Sequence, residues 1–166
     1  MKKMRTPISE AEIAELNVGD MIFISGYIYC GRDAVLPKIV EDIYSGHLDE
    51  KINLKGNVIF HTAVSVAGVG PTSSNKLEIE SSMIPLSDAG IKIHLGKGEI
   101  KNETISALAE RNAVYAIIPP VTALLESRTI EKECVAYPEL GMEALYKIKV
   151  VDYPAIVAAA KGRSIY

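Results

Sequence analysis

Apolar and polar positions alternate along the chain in two rhythms, a period near two and a period near 3.6, which mark strands and helices in turn. Ser9 to Leu16 (SEAEIAEL) reads as a short helix over about 9–16. Ser9 is its N-cap, with Glu12 three residues on completing a capping box. Asn17 to Asp20 is a turn. Met21 to Tyr29 (MIFISGYIY) is apolar on both faces, as a strand covered on both sides must be. Leu36, Ile39, Val40 and Ile43 form a helix stripe. Pro37 has no N–H and belongs in the first turn, so that helix should start near Asp33 as its N-cap and end at Ser45-Gly46. Asn57 to Val66 predicts a second strand, and Gly68 to Asn75 a loop. Leu77 to Ala89 predicts a helix broken near Pro85, and Ile91 to Leu95 a third strand. Asn102 should cap a helix running through Arg111. Ala113 to Ile118 should form a fourth strand, stopped by Pro119-Pro120, and Thr122 should cap a short helix. Glu133 to Tyr137 and Ala144 to Val151 read as further strands, and Tyr153 to Ala160 as a closing helix. No repeat or linker interrupts residues 1–166, so the expected fold is a single α/β domain with a mainly parallel sheet.

The polar loops fall at recurrent places. Arg32, the Gly70–Lys76 stretch, Lys97 and the Pro119–Thr122 segment each follow a strand and precede a helix. Right-handed crossovers bring all such junctions of a parallel sheet to one edge. Ligands bind at that edge, outside the carboxyl ends of the strands, where helix N-termini favour anions. Three cations and a loop of small residues gathered there point to a small anionic ligand.

Composition narrows the field. The 166 residues are 48% hydrophobic and 23% charged, enough for one real core and unlike any disordered class. Lys and Arg number 18 against 21 Asp and Glu, a net charge of −3, so nucleic acid and anionic membrane are not expected partners. No apolar run reaches the ~18 residues a membrane span needs, and no apolar segment follows the basic N-terminus as in a signal peptide. Cys30 and Cys134 stand alone, too few for a disulfide framework or a metal site. A reducing cytoplasm is the expected compartment.

Several motifs fail. Gly90 lies one residue too far from Gly96-Lys97 for a phosphate loop, and Gly98 stands where Ser or Thr is required. Gly68-Val69-Gly70 runs into Pro71 instead of completing a dinucleotide fingerprint. His47, His61 and His94 are dispersed, and no metal site within this chain is expected. Read singly, each polar junction is a turn or a cap. Cys30 reads as core filler, and His61 and His94 as satisfied structural histidines. The functional reading rests on the junctions recurring together.

Five segments, in order, carry a resemblance: Gly31-Arg32-Asp33, Gly70-Pro71-Thr72-Ser73-Ser74-Asn75-Lys76-Leu77-Glu78, Gly96-Lys97-Gly98, Ala123-Leu124-Leu125 and Glu139-Leu140-Gly141-Met142-Glu143-Ala144. From about Leu16 to Tyr166 the chain resembles the β subunit, or C-terminal domain, of class I fumarate hydratases and the related tartrate dehydratases. The resemblance implies a three-layer swivelling β/β/α domain that is half of an enzyme. It implies an α subunit carrying a [4Fe-4S] cluster, with no cofactor bound by this chain alone, and a small dicarboxylate substrate between the subunits. A homo-oligomer or a dimer of heterodimers is implied too. By position, Arg32 and Lys97 match carboxylate-binding residues. Thr72 matches a threonine proposed to help remove the C3 proton of malate, and Lys76 stands where a second substrate-binding arginine is usual. The family pattern Gly-Pro-Thr-Thr-Ser-x-Arg-Met-Asp departs here at Ser73, Lys76, Leu77 and Glu78. Lysine lacks the bidentate fork of arginine, so the departures bear on the substrate more than on the reaction. The resemblance thus implies reversible hydration of fumarate to L-malate. L-tartrate dehydratase, another dicarboxylate hydratase, and a non-catalytic dicarboxylate-binding module remain as alternatives.

Overall fold

In a computed structural model, the structure describes residues 1–65, 68–72, 76–119 and 122–166. The strands are β1 (Lys2–Arg5), β2 (Met21–Cys30), β3 (Val58–Phe60), β4 (Thr62–Ser65), β5 (Gly68–Thr72), β6 (Ile93–Gly96), β7 (Val114–Ile117), β8 (Thr129–Ala136), β9 (Leu145–Ala160) and β10 (Arg163–Ser164). The helices are α1 (Glu10–Ala14), α2 (Leu36–Ser45), α3 (Lys76–Asp88), α4 (Asn102–Glu110) and α5 (Thr122–Ser127), with a 3-10 helix at Pro138–Glu143.

β1, β2, β3, β6 and β7 run parallel in that order, as the strand–helix alternation requires. β9 is antiparallel to both β2 and β7, so β2-β3-β6-β7-β9 close into a barrel. Period two in each strand sends one set of side chains inward. Ile22, Ile24, Ile28, Phe60, Leu95 and Val157 belong to the cluster that fills the interior. The other set meets the helices. Tyr29 and Ile59 pack with Leu36 and Ile39 of α2, and Tyr115 packs with Met83 of α3 and Leu108 of α4.

β9 overturns the largest expectation. Tyr153 to Ala160 is no helix but the second half of a 16-residue strand. Ala155, Ala158 and Ala159 favour helix in isolation, but their small side chains let β9 lie between β2 and β7, and tertiary pairing wins. The strand bends at Asp152, which has φ 49°. There the register with β2 shifts, a bulge held by the Asp152 N–H donating to Ser25 Oγ at 2.9 Å.

The capping box of α1 is present as expected, with Ser9 Oγ accepting from Glu12 N and Glu12 Oε1 from Ser9 N. Two other caps are corrected. Val35, not Asp33, is the N-cap of α2, and Lys101, not Asn102, that of α4. Gly46 closes α2 in the left-handed conformation, φ 74°, that glycine adopts without a Cβ penalty. α3 runs unbroken through Pro85. The predicted strand at 57–66 divides at His61 into β3 and β4, and much of the predicted loop at 68–75 is strand β5, the antiparallel partner of β4. Residues 66, 67 and 73–75 lie outside the described part. Among the described residues no helix is long and apolar enough to cross a membrane.

Candidate functional site

The carboxyl ends of β2, β3 and β6 are level. Cys30 pairs with Phe60, and Phe60 with Leu95. The ladder continues one step further, with Gly31 N donating to Phe60 O and His61 N to Leu95 O, both at 3.0 Å. Arg32, His61, Thr62 and Lys97 therefore leave the sheet along one line, as the parallel order predicts. Arg32 and Lys97 stand two strand spacings apart, about 10 Å at the usual 4.7–4.9 Å each, a span that two long cationic side chains reach across. Thr72 ends β5 in register with Thr62, so the hairpin brings it to the same edge. Lys76 opens α3 at the backbone level. Pro119 lies at the edge beyond β7, while Pro120 and Val121 of the predicted fourth junction are outside the described residues.

Arg32 is held in a specific orientation. Its Nε donates to Glu143 Oε1 and Oε2 at 2.8 and 3.1 Å, and its Nη2 lies 2.8 Å from Oε1. Hydrogen bonding to Glu143 raises the arginine's pKa further, so the guanidinium stays charged. Sequence reasoning picks out the Glu139–Ala144 motif but gives Glu143 no role. Its signal was an acidic residue in a motif that lies far along the chain from the arginine.

Lys97 is exposed on a fixed loop. Tyr115 Oη donates to Gly98 O at 3.0 Å. A Cβ at position 96 would sit 3.2 Å from the Tyr115 ring, so glycine there lets the ring approach.

One expectation about helix ends is corrected. The N-terminus of α4 is already taken by a carboxylate of this chain. Glu80 Oε1 accepts from Lys101 N at 2.8 Å and Thr104 Oγ1 at 2.6 Å, and Glu80 is only 7% exposed. The buried carboxylate occupies the donors that an external anion would use.

The two strand histidines meet. His61 Nε2 lies 3.2 Å from His94 Nδ1, and His94 Nε2 lies 2.8 Å from Ser87 Oγ on α3. The rings stack with centroids 5.5 Å apart. His94 is satisfied at both nitrogens, as expected of a structural histidine. His61 is not, because its Nδ1 is buried and has no hydrogen-bond partner. Such an orphan costs about 1–3 kcal/mol and calls for a reason.

Burial pushes the pKa of both rings well below the ordinary 6.5, in His94 aided by its neighbour His61. Both are neutral in the folded chain at pH 7. Once unfolded they take up protons near 6.5, so the stability they confer is complete above that pH and is lost as pH falls. The loss runs at about 1.4 kcal/mol per pH unit for each histidine. Melting temperature should therefore drop between about pH 6.5 and pH 4.5, and the drop should flatten in His61→Phe/His94→Met. Equal slopes in both proteins would refute it.

Cys30 is fully buried in the barrel, and burial raises its thiol pKa far above the ordinary value, which fits core filler rather than a nucleophile. Cys134 is exposed on β8. Among the described residues no three His, Cys, Asp or Glu come together as a metal-ligand group.

The profile of the family described as Fumarase C-terminus matches residues 2–166. The chain is 31% identical over 176 residues to a putative class I fumarate hydratase of Geobacillus stearothermophilus, covering 98% of this chain and 33% of that protein. It is 29% identical to the anaerobic class I fumarate hydratase of Escherichia coli, covering 98% of this chain and 32% of that protein. It is 30% identical to a putative L(+)-tartrate dehydratase subunit beta of Methanocaldococcus jannaschii, covering 96% of this chain and 88% of that protein. These relatives are named as hydro-lyases, enzymes that add water to a double bond or remove it. The chain belongs to the Fumarase C-terminus family. It spans about a third of the length of the two fumarate hydratases and most of the tartrate dehydratase subunit.

Proposed function

We propose that this chain is the β subunit of a two-subunit iron–sulfur hydro-lyase that reversibly hydrates fumarate to L-malate. The observation that carries the reading is the convergence of Arg32, the Thr72-bearing hairpin and Lys97 on one sheet edge of a chain in this family. Arg32 and Lys97 bind the two carboxylates of the diacid, and Lys76 adds a third cation. Glu143 fixes the plane of the guanidinium so that its outer donors meet a carboxylate as a fork. The Thr72 hydroxyl helps remove the C3 proton of malate, which requires a base behind it, since an alcohol is a poor base. The Lewis acid that alkene hydration calls for is a [4Fe-4S] cluster on the α subunit, which would polarise hydroxyl and carboxylate when bound. The fold then works as a swivelling three-layer domain that closes over the α subunit's face, within a homo-oligomer or a dimer of heterodimers in the cytoplasm.

A second reading, an L-tartrate dehydratase β subunit, draws on the relatives of matching length, which carry that name. A non-catalytic dicarboxylate-binding module is the reading from a different class, with Lys76 marking lost activity. Co-expression with an α subunit encoded nearby, anaerobic cluster reconstitution and assay on fumarate, malate and tartrate decide among them. Turnover is expected only in the complex. Stoichiometric iron and turnover in the purified chain alone would sink the split-enzyme reading. Tight diacid binding without turnover in a reconstituted complex would favour the binding module.

A further inference from the structure

The His61–His94 pair has no place in the chemistry above, yet it links two parts of the molecule. At one end, Ser87 lies in the wall of a cavity of about 410 Å³ that also includes Glu10, Lys55, Asp88 and Lys92. Those residues sit at the amino ends of β3 and β6, away from the candidate site. Ser87 Oγ bonds His94 Nε2 at 2.8 Å, and His94 Nδ1 bonds His61 Nε2 at 3.2 Å. The far end is the orphan Nδ1 of His61, one residue before Thr62, the register partner of Thr72. Every link is a group that both donates and accepts. The chain of bonds thus runs from a residue of the cavity wall to an unpaired ring nitrogen on the residue next to Thr62.

We infer that Ser87, His94 and His61 form a proton relay between the cavity and the candidate site, with His61 Nδ1 as its receiving end. This rests on the hydro-lyase reading, in which one proton must leave or join a substrate carbon while water is excluded. In the accepting state His61 Nε2–H donates to His94 Nδ1, and His94 Nε2–H donates to Ser87 Oγ. A proton arriving at His61 Nδ1 releases the Nε2 proton to His94 Nδ1. The His94 Nε2 proton passes to Ser87, and the serine's own hydroxyl proton leaves to water in the cavity. One proton enters, one leaves, no electrons are exchanged, and neither ring ends as a buried cation, the species that burial penalises. Hydration runs the same hops backward. While the site is empty, tautomer exchange against water restores the starting polarity. His94 and Ser87 act through His61 and are positioning residues.

His94→Gln tests the relay, because an amide keeps a hydrogen bond to Ser87 but has no second tautomer to pass a proton through. In the reconstituted complex its kcat should fall on the order of 10²-fold with KM unchanged. In His94→Ala, free imidazole should restore turnover, whereas 1-methylimidazole, which fills the same space but cannot pass a proton between its nitrogens, should not. Wild-type kcat in His94→Gln, or no restoration of His94→Ala, overturns the relay. If the wild-type complex turns over no diacid, the hydro-lyase reading fails separately. Imidazole-15N spectra of the full chain then decide the relay by themselves. Both rings should average two tautomers, and Ser87→Ala should slow the exchange. One fixed tautomer in each ring overturns it.

Discussion

Arg32→Ala in the reconstituted complex should lower kcat/KM by about 10²–10³-fold, the loss of a charge-assisted fork on a substrate carboxylate. The fold should survive. Arg32 and Glu143 retain 25% and 30% of their side-chain exposure, and partly exposed ion pairs contribute about 1 kcal/mol or less. Glu143→Gln separates orientation from charge. It keeps one acceptor oxygen for Nε but releases the doubly held geometry, so kcat/KM should drop by about tenfold while the arginine remains. Arg32→Lys should not rescue activity, because an ammonium is a point charge without the planar fork. Kinetics with thermal melts of each variant check the assignment. An Arg32→Ala complex with near-normal kcat/KM would show that the arginine holds no substrate carboxylate.

Thr72→Val should cut kcat by roughly 10²–10⁴-fold with little change in KM, because it keeps the shape and removes the hydroxyl placed in proton transfer. Lys76→Arg should do the opposite. It restores a bidentate fork and so shifts KM or the preference between diacids while sparing kcat. If Thr72 serves only the turn before α3, Thr72→Val instead costs about 1 kcal/mol of stability and turnover persists. Lower melting temperature with unchanged kcat would reject the catalytic role.

Local rules carried part of the fold. The strand β2 and the Ser9–Glu12 capping box are both decided within a few residues, and both were legible, although Met21 and Tyr27 of β2 are exposed where cover on both faces is expected. So was the shared edge of Arg32 and Lys97, which follows from parallel order alone. β5 was not, since Gly68 to Thr72 has turn composition and becomes strand only by pairing with β4. The C-terminal half of β9 stands as a helix in the sequence reading, whereas its state is set by β2 and β7 on either side. The site shows the same division. The cations stand at junctions that a sequence displays. Their supports come from distant segments: Glu143 for Arg32, Tyr115 for the Lys97 loop, Glu80 at the head of α4. The meeting of His61 with His94 depends on β3 and β6 being neighbours, which no local spacing encodes.

The long strand β9 also sets the order in which the molecule can be assembled. Met21 pairs with Ile156 and Ile117 with the same residue, so the earliest and latest parts of the barrel meet on one segment. Until residues 145–160 are in place, β2 and β7 each present a row of unpaired N–H and C=O groups, the template on which chains add edge to edge. Closure over such a sequence distance is slow compared with helix or hairpin formation. During synthesis the half-built sheet must wait for its last long strand, and in that interval it is most exposed to aggregation.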